Sequence, residues 1–165
     1  MPRPDCPKTN AIRCLEQAGV AFEVCLYAYE ERGGTRVSAR ELGVEEHQVV
    51  KTLIMETDTK QPMVVLMHGD REVSTKQLAR VLGVKSVHPC EPQVAQRHSG
   101  YLVGGTSPFG TRRSMPVYVE ASILDLDHIY INGGHRGLLV RIDPQDLGRI
   151  LDVTVVNVAI GETPT

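Results

Sequence analysis

The sequence predicts an α+β fold built on a largely antiparallel or mixed sheet. Three observations lead there. Strand-like segments outnumber helical ones, several neighbouring strands are separated by short turns, and no regular alternation of strand and helix runs along the chain.

Each element has a local reason. Residues 1–7 read as a loose, proline-bearing tail. Thr9–Ala18 reads as a short helix, with Ala11, Ile12, Leu15 and Ala18 on one face and Gly19 as its stop. Ala21–Tyr27 alternates as a strand with Phe22, Val24 and Leu26 on one side. YEERGGTR, residues 29–36, reads as a charged loop. Ser38-Ala39-Arg40-Glu41 has capping-box spacing and opens a helix that Gly43 ends. Val49–Met55 and Pro62–His68 form a hairpin about the polar turn ETDTKQ. Ser74-Thr75-Lys76-Gln77 is a second capping box, before KQLARVL and its stop at Gly83. Val84–His88 reads as a short strand and Pro92–His98 as a helix ended by Gly100. Val117–Ala121, Ile129–Asn132 and Leu138–Ile142 read as strands. Asp143 and Pro144 supply an N-cap and first helical position for a helix reaching about Leu151. Val153–Val158 is the last strand.

A length of 165 residues suits one domain over the whole chain, residues 1–165. At this size folding buries roughly 70% of the unfolded surface, so no disulfide or metal is needed as a staple. There is no Trp and only two Phe, so the core falls to Val, Leu, Ile and Ala. A net charge of −2 argues against a DNA-coating protein. It leaves room for a single-stranded RNA end read by a local pocket. Cys6, Cys14, Cys25 and Cys90 form no CxxC pair, the N-terminus has no apolar signal-like run, and no segment approaches the ~20 apolar residues of a membrane span. These features predict a cytoplasmic protein with reduced thiols and no membrane partner. The six histidines show no HxxxH or HExxH spacing. His88 and Cys90 are ligand types close together, but nothing near them in sequence completes a zinc site. No metal and no cofactor are expected. There is no GxSxG elbow, and Ser107 has no evident His–Asp pair. Among the cysteines, Cys90, in a loop beside Pro89, is the least inert.

The densest chemical signal is Tyr101–Gly110, YLVGGTSPFG. Gly104, Gly105 and Gly110 surround Ser107-Pro108 and make a stiff loop able to present backbone N–H groups to an oxygen-rich ligand. Lys51 is the second signal. Alternation puts it on the same strand face as Val49, Leu53 and Met55, where an ammonium either snorkels to water or lines a pocket. The third is Asn132-Gly133-Gly134-His135-Arg136-Gly137, a tight glycine turn.

Three segments in this order, VVKTLIM (Val49–Met55), VAQRHSGYLVGGTSPFGTRRSMPVYVE (Val94–Glu120) and IYINGGHRGLLVRI (Ile129–Ile142), resemble the YbaK family of free-standing aminoacyl-tRNA deacylases. The same domain type occurs as the editing insertion of bacterial prolyl-tRNA synthetases. The resemblance covers roughly residues 10–160 and looks closest to the branch that hydrolyses Cys-tRNA(Pro). It implies a curved, barrel-like mixed sheet with helices around it. It also implies a pocket for the 3′ end of an aminoacyl-tRNA, lined by Lys51. The Gly104-to-Pro108 loop, with Gly105, Thr106 and Ser107, would hold the ester and the terminal adenosine. Gly104 is the first candidate for an amide that stabilises the carbonyl oxygen, and Gly105 the second. Tyr27 at its strand end would reach the pocket, with Tyr29 as the alternative. Thr52 follows Lys51 on the other face. Asn132, Gly133, Gly134 and Arg136 belong to the substrate-side turn, and Arg97, Arg112 and Arg113 are candidate phosphate contacts. Two positions depart from the family pattern. Asn132 stands where Ser is frequent, and Leu139 stands where an acidic residue is expected, which bears on how the substrate amino group is held. The implied function is trans-acting hydrolysis of mischarged tRNA(Pro), Cys-tRNA(Pro) first, with prolyl-tRNA synthetase as a candidate partner. A deacylase for another amino acid such as Ala, or a non-hydrolytic tRNA-end-binding module, remains open.

Overall fold

A computed structural model describes residues 6–162; the first five residues of the expected N-terminal tail lie outside them. The central element is β2 (Val49–Thr57), which pairs antiparallel with β3 (Pro62–His68). The larger sheet also contains β1 (Phe22–Leu26), β5 (Val87–Pro89), β6 (Val117–Glu120), β7 (Ile129–His135), β8 (Leu138–Ile142) and β9 (Val153–Val156). Its order is β1-β8-β7-β2-β3-β6-β9, with β5 added alongside β2. The β2–β7, β3–β6 and β6–β9 pairs are parallel and the other pairs antiparallel, so the sheet is mixed. Among the described residues no pairing joins β1 to β9, so the sheet is not a closed barrel. A separate pair joins β4 (Arg71–Val73) to β10 (Ala159–Glu162).

Strand alternation sorts the core onto two sides of this sheet. On one side Val50, Ile54, Val64, Leu66, Val117, Val119, Ile129, Ile131 and Val140 are buried. They pack with Ala11, Ile12 and Leu15 of α1 (Asn10–Ala18), Ala95 of α4 (Pro92–Ser99) and Leu147 of α5 (Leu147–Ile150). The other side carries two smaller clusters. Met55, Met63, Val65 and Met67 pack on Leu78 and Ala79 of α3 (Thr75–Leu82). Val49, Tyr130 and Leu139 pack on Ala39 of α2 (Gly34–Leu42). Lys51 lies on β2 between Val49 of the second cluster and Met55 of the first. The two helices on this side therefore leave a gap in the apolar cover at Lys51.

The caps explain where the helices start and stop. Thr9 Oγ1 accepts from Ile12 N at 3.0 Å, Ser74 Oγ accepts from Gln77 N at 3.1 Å, and left-handed Gly19, Gly43, Gly83 and Gly100 end four helices. One helix start differs from the sequence expectation. α2 begins at Gly34, four residues before Ser38, within the segment read as a loop. Ser38 does not cap it; its Oγ donates to Thr35 O at 3.1 Å from inside the helix. The early start is held by Thr35, whose hydroxyl bonds Glu46 Oε2 at 2.8 Å. The strand expected at Val84–His88 is shifted to β5, and β4 and β10 were not foreseen. The predicted final helix is a 3-10 turn at Pro144–Asp146 running into the single turn of α5.

Tyr101 and Phe109 fasten the two ends of the glycine-rich loop into the main core, and Phe109 is fully buried. Phe109→Ala is expected to lower stability by about 3–5 kcal/mol. Urea unfolding checks this: the midpoint falls, and a wild-type midpoint would show that the loop is not tied to the core through this ring.

Candidate active site

The site begins with an irregularity in β7. Asn132 pairs with Leu139, but His135 pairs with the very next residue back, Leu138, so Gly133 and Gly134 are extra residues bulged out of the strand. Gly134 has φ +95°. A Cβ there would lie 2.8 Å from the Tyr101 ring, so glycine is required on both conformational and steric grounds. Asn132 fixes the bulge. Its Oδ1 accepts from Gly134 N at 2.7 Å and from His135 N at 3.2 Å. Its Nδ2 donates across to Gly104 O at 3.1 Å. One amide side chain thereby joins two loops that are 28 residues apart in sequence. Thr9 adds a third tie, its hydroxyl donating to Gly133 O at 2.5 Å.

The 102–106 loop is set against this hairpin by further contacts. Arg136 Nε donates to Val103 O at 2.9 Å, and its guanidinium stands 5.2 Å from the Tyr29 ring centroid. Gly105 N donates to Leu102 O at 2.8 Å, and Thr106 Oγ1 to the same carbonyl at 3.3 Å. Gly104 has φ +91°, and a Cβ on it would come 2.5 Å from the Tyr29 hydroxyl. A Cβ on Gly105 would be 2.8 Å from Arg136 N. The loop backbone is thus in close contact with Tyr29 and the hairpin at two successive glycines.

Lys51 completes the group. The parallel pairing ends at Val50↔Ile131, and one further step along both strands brings Lys51 level with Asn132. Its side chain is 19% exposed, and Nζ lies 3.5 Å from Glu72 Oε1, whose side chain is 50% exposed. A pair this long and this wet is weak, so the ammonium is available to a better anionic partner. Tyr27 sits behind, packed with Val49, Tyr130 and Leu139, its backbone N donating to Gly137 O at 3.0 Å. Burial pushes its phenol above the ordinary tyrosine value, so it stays protonated and can only donate or accept a neutral hydrogen bond. Tyr29, held in view in the sequence as the alternative to Tyr27, is the tyrosine that touches Gly104.

Lys51, Gly104, Gly105, Thr106, Asn132, Gly133, Gly134 and Arg136 are therefore gathered around one place, with Tyr27 in the wall behind. Three other sequence candidates sit elsewhere. Ser107 is fully buried, and its Oγ accepts from Phe109 N at 3.2 Å, a turn-stabilising role. Pro108 lines a separate cleft with Val64, Met115, Ile150 and Asp152. Thr52 points by alternation into the main core between Val50 and Ile54. Its Oγ1 is buried and has no partner among the described residues. Cys90 is no ready nucleophile, because burial and then the neighbouring Glu56 push its thiol up to about 11. Glu72 and Thr9 were not foreseen as site residues. Thr9 was legible only as a helix start, and Glu72 lies on the short β4.

The architecture is that of an editing-type α+β domain. A solved structure described as "Crystal structure of a putative trans-editing enzyme for prolyl tRNA synthetase" superposes with a TM-score of 0.82 at 21% identity, covering 94% of this chain and all of that one. The chain belongs to the aminoacyl-tRNA editing domain family, whose model matches residues 32–150. It is 30% identical over 139 residues to the Enterococcus faecalis protein named "Putative Cys-tRNA(Pro)/Cys-tRNA(Cys) deacylase EbsC", covering 84% of this chain and 85% of that one. It is 28% identical over 125 residues to a proline–tRNA ligase of Citrifermentans bemidjiense, spanning 73% of this chain and 21% of the ligase. No helix among the described residues is long and apolar enough to cross a membrane.

Two stability and dynamics outcomes follow from this geometry. Asn132→Ala removes three hydrogen bonds and is expected to cost about 1–3 kcal/mol. Hydrogen exchange should then speed up at Gly105, Gly134 and His135 while β2 and β3 keep their protection; unchanged exchange in both loops would contradict the brace. Thr52→Val replaces an unpartnered buried hydroxyl with a methyl group and is expected to raise stability by about 1 kcal/mol. A lowered urea midpoint would show that the hydroxyl has a partner after all.

Proposed function

We propose that this chain is a trans-acting deacylase that hydrolyses mischarged tRNA(Pro) in the cytoplasm, with Cys-tRNA(Pro) as its first substrate. The observation that carries this reading is a lysine set between two apolar clusters of one sheet face, on the strand that pairs with β7 just before its glycine bulge. Family membership and the likeness to EbsC support the same class of substrate. The bond to be broken is an ester, already activated, so positioning and charge stabilisation suffice without a protein nucleophile. Arg136 and Lys51 supply positive charge toward the phosphate and ester oxygens. The backbone of Gly104 is exposed and is the candidate to meet the carbonyl oxygen, whereas Gly105, the second candidate from the sequence, is buried and already donates its N–H to Leu102 O.

For a cysteinyl ester the substrate's own thiolate attacks the carbonyl carbon. The carbonyl oxygen takes up negative charge, the ester C–O bond breaks, and the ribose oxygen leaves as a hydroxyl after gaining a proton; cysteine departs as a four-membered cyclic thioester, whose C–S bond water then opens to give free cysteine. A free thiol has a pKa of about 8.5, and a cation in contact favours its ionised form. Lys51 is assigned this role. Leu139 is 4% exposed in the apolar cluster behind Lys51, so it offers no carboxylate to the substrate amino group. The Glu72 carboxylate, 3.5 Å from Lys51 Nζ, is the acidic group proposed for that task. Prolyl-tRNA synthetase is proposed as the partner that delivers the tRNA.

The test is a deacylation assay on Cys-tRNA(Pro), Ala-tRNA(Pro) and Pro-tRNA(Pro), with Lys51→Ala and Gly104→Ala beside the wild type. The reading requires rapid loss of Cys with Pro retained. It also requires a fall of about 100-fold or more in both variants, with circular dichroism unchanged. Loss of Ala alone would replace the substrate-thiol step by attack of water. No hydrolysis of any of the three would overturn the reading.

A further inference from the structure

We propose that Glu56, Cys90 and His98 form a zinc-binding site separate from the pocket around Lys51. They come from the far end of β2, the link between β5 and α4, and the last turn of α4. One ligand atom from each lies within 4.8 Å of the other two. His98 Nε2 is 3.1 Å from Glu56 Oε2, and these side chains are 9% and 10% exposed. Cys90 is half-buried and the most exposed of the three. A tetrahedral zinc with bonds of about 2.0–2.3 Å holds its ligand atoms about 3.3–3.7 Å apart. The Glu56–His98 separation is already close to this, and the remaining distances need to shorten by about 1 Å at most.

The backbone around the three is fixed. Glu56 pairs with Pro62 on one side and His88 on the other. Cys90 N donates to Ile54 O at 3.0 Å, and His98 O accepts from Arg113 N at 3.1 Å. One thiolate, one imidazole and one carboxylate make a borderline-soft donor set that suits zinc and not magnesium or calcium. A thiolate and a carboxylate neutralise the dication, which a buried location requires. Loading releases the Cys90 thiol proton to solvent. It also places the His98 ring proton on Nδ1, so that Nε2 presents its lone pair. The fourth position is left to water.

A second cluster, His47, His68 and Asp70, has ligand atoms equally close, but it is already spent. His68 bonds His47 O through Nδ1 at 2.8 Å and Ser122 Oγ through Nε2 at 2.7 Å. The two rings also stack at 3.8 Å and 8°, so their in-plane lone pairs run side by side and do not converge. The consequence of zinc at Glu56, Cys90 and His98 is structural. His98 and Ser99 are the residues whose carbonyls receive Arg113 N and Arg112 N. The ion would clamp the base of the loop that carries Gly104.

The experiment is a titration of the reduced, metal-free protein with Zn²⁺ against a chromophoric chelator, followed by Co²⁺ for its thiolate charge-transfer band. One zinc per chain and a raised Tm are expected. Cys90→Ser and His98→Gln should each weaken binding by at least about 100-fold, since even a supporting residue outside the ligand set is worth 10–100-fold. The cobalt band should vanish in Cys90→Ser, and Cys14→Ser should bind as the wild type does. Failure of the wild type to take up stoichiometric zinc overturns the proposal. So does wild-type affinity in Cys90→Ser or His98→Gln. If His98→Gln does not fold, the half-buried Cys90→Ser decides the matter alone.

Discussion

Asn132 is hydrogen-bonded in two directions at once, and both glycine loops take their positions from it. Its oxygen closes the bulge of β7 on Gly134 and His135, and its nitrogen holds Gly104 O. Remove that amide and the 102–106 loop keeps Arg136 as its side-chain tie to the hairpin. The residue stands where the resemblance suggested a serine. A serine hydroxyl has the donor and acceptor capacity but a shorter reach, so the wider span between these loops fits an amide. The cost is that Asn132's polar atoms are spent on backbone. The proposed substrate-facing chemistry therefore falls to Lys51, Arg136 and the Gly104 backbone.

The sheet supplies the other half of the arrangement. β2 has β3, β5 and β7 as neighbours, so its side chains are placed from several directions. Helices α2 and α3 cover the second face as two separate clusters, and Lys51 occupies the space between them. A lysine in a continuous apolar layer would pay a large desolvation cost. Here the stem packs between two clusters and the ammonium reaches Glu72 at the edge.

Much of this was legible in the chain because it is local. Period-two alternation placed Lys51 on the face of Val49 and Met55, apolar spacing put the first helix at about Thr9, and the Ser74 capping box located the start of α3. The glycine clusters at 104–105 and 133–134 marked both loops. What stayed hidden was mostly long-range. The Asn132–Gly104 bond spans 28 residues, and the Glu56–His98 contact spans 42. No spacing rule reports either. Gly33-Gly34 read as a loop because glycine is a poor helix former. Thr35 overrides that preference through its bonds to Glu46 and Gly69 O. β4 and β10 are three and four residues long and exist through pairing with each other, which neither segment signals alone. Ser107 and Pro108 shared the loop motif with Gly104, but the turn directs them into the protein interior and toward another cleft.

The central claim is that Lys51, the 102–106 loop and the β7–β8 hairpin form one pocket for an esterified adenosine. Amide and lysine-side-chain NMR spectra recorded while adding a non-hydrolysable cysteinyl-amide analogue of 3′-adenosine test it most directly. The account predicts saturable shifts at Gly104, Gly105, Gly134 and the Lys51 side chain, with the cleft around Pro108 and Met115 unaffected. Saturable binding whose shifts fall in that cleft, with Lys51 and Gly104 silent, would contradict it.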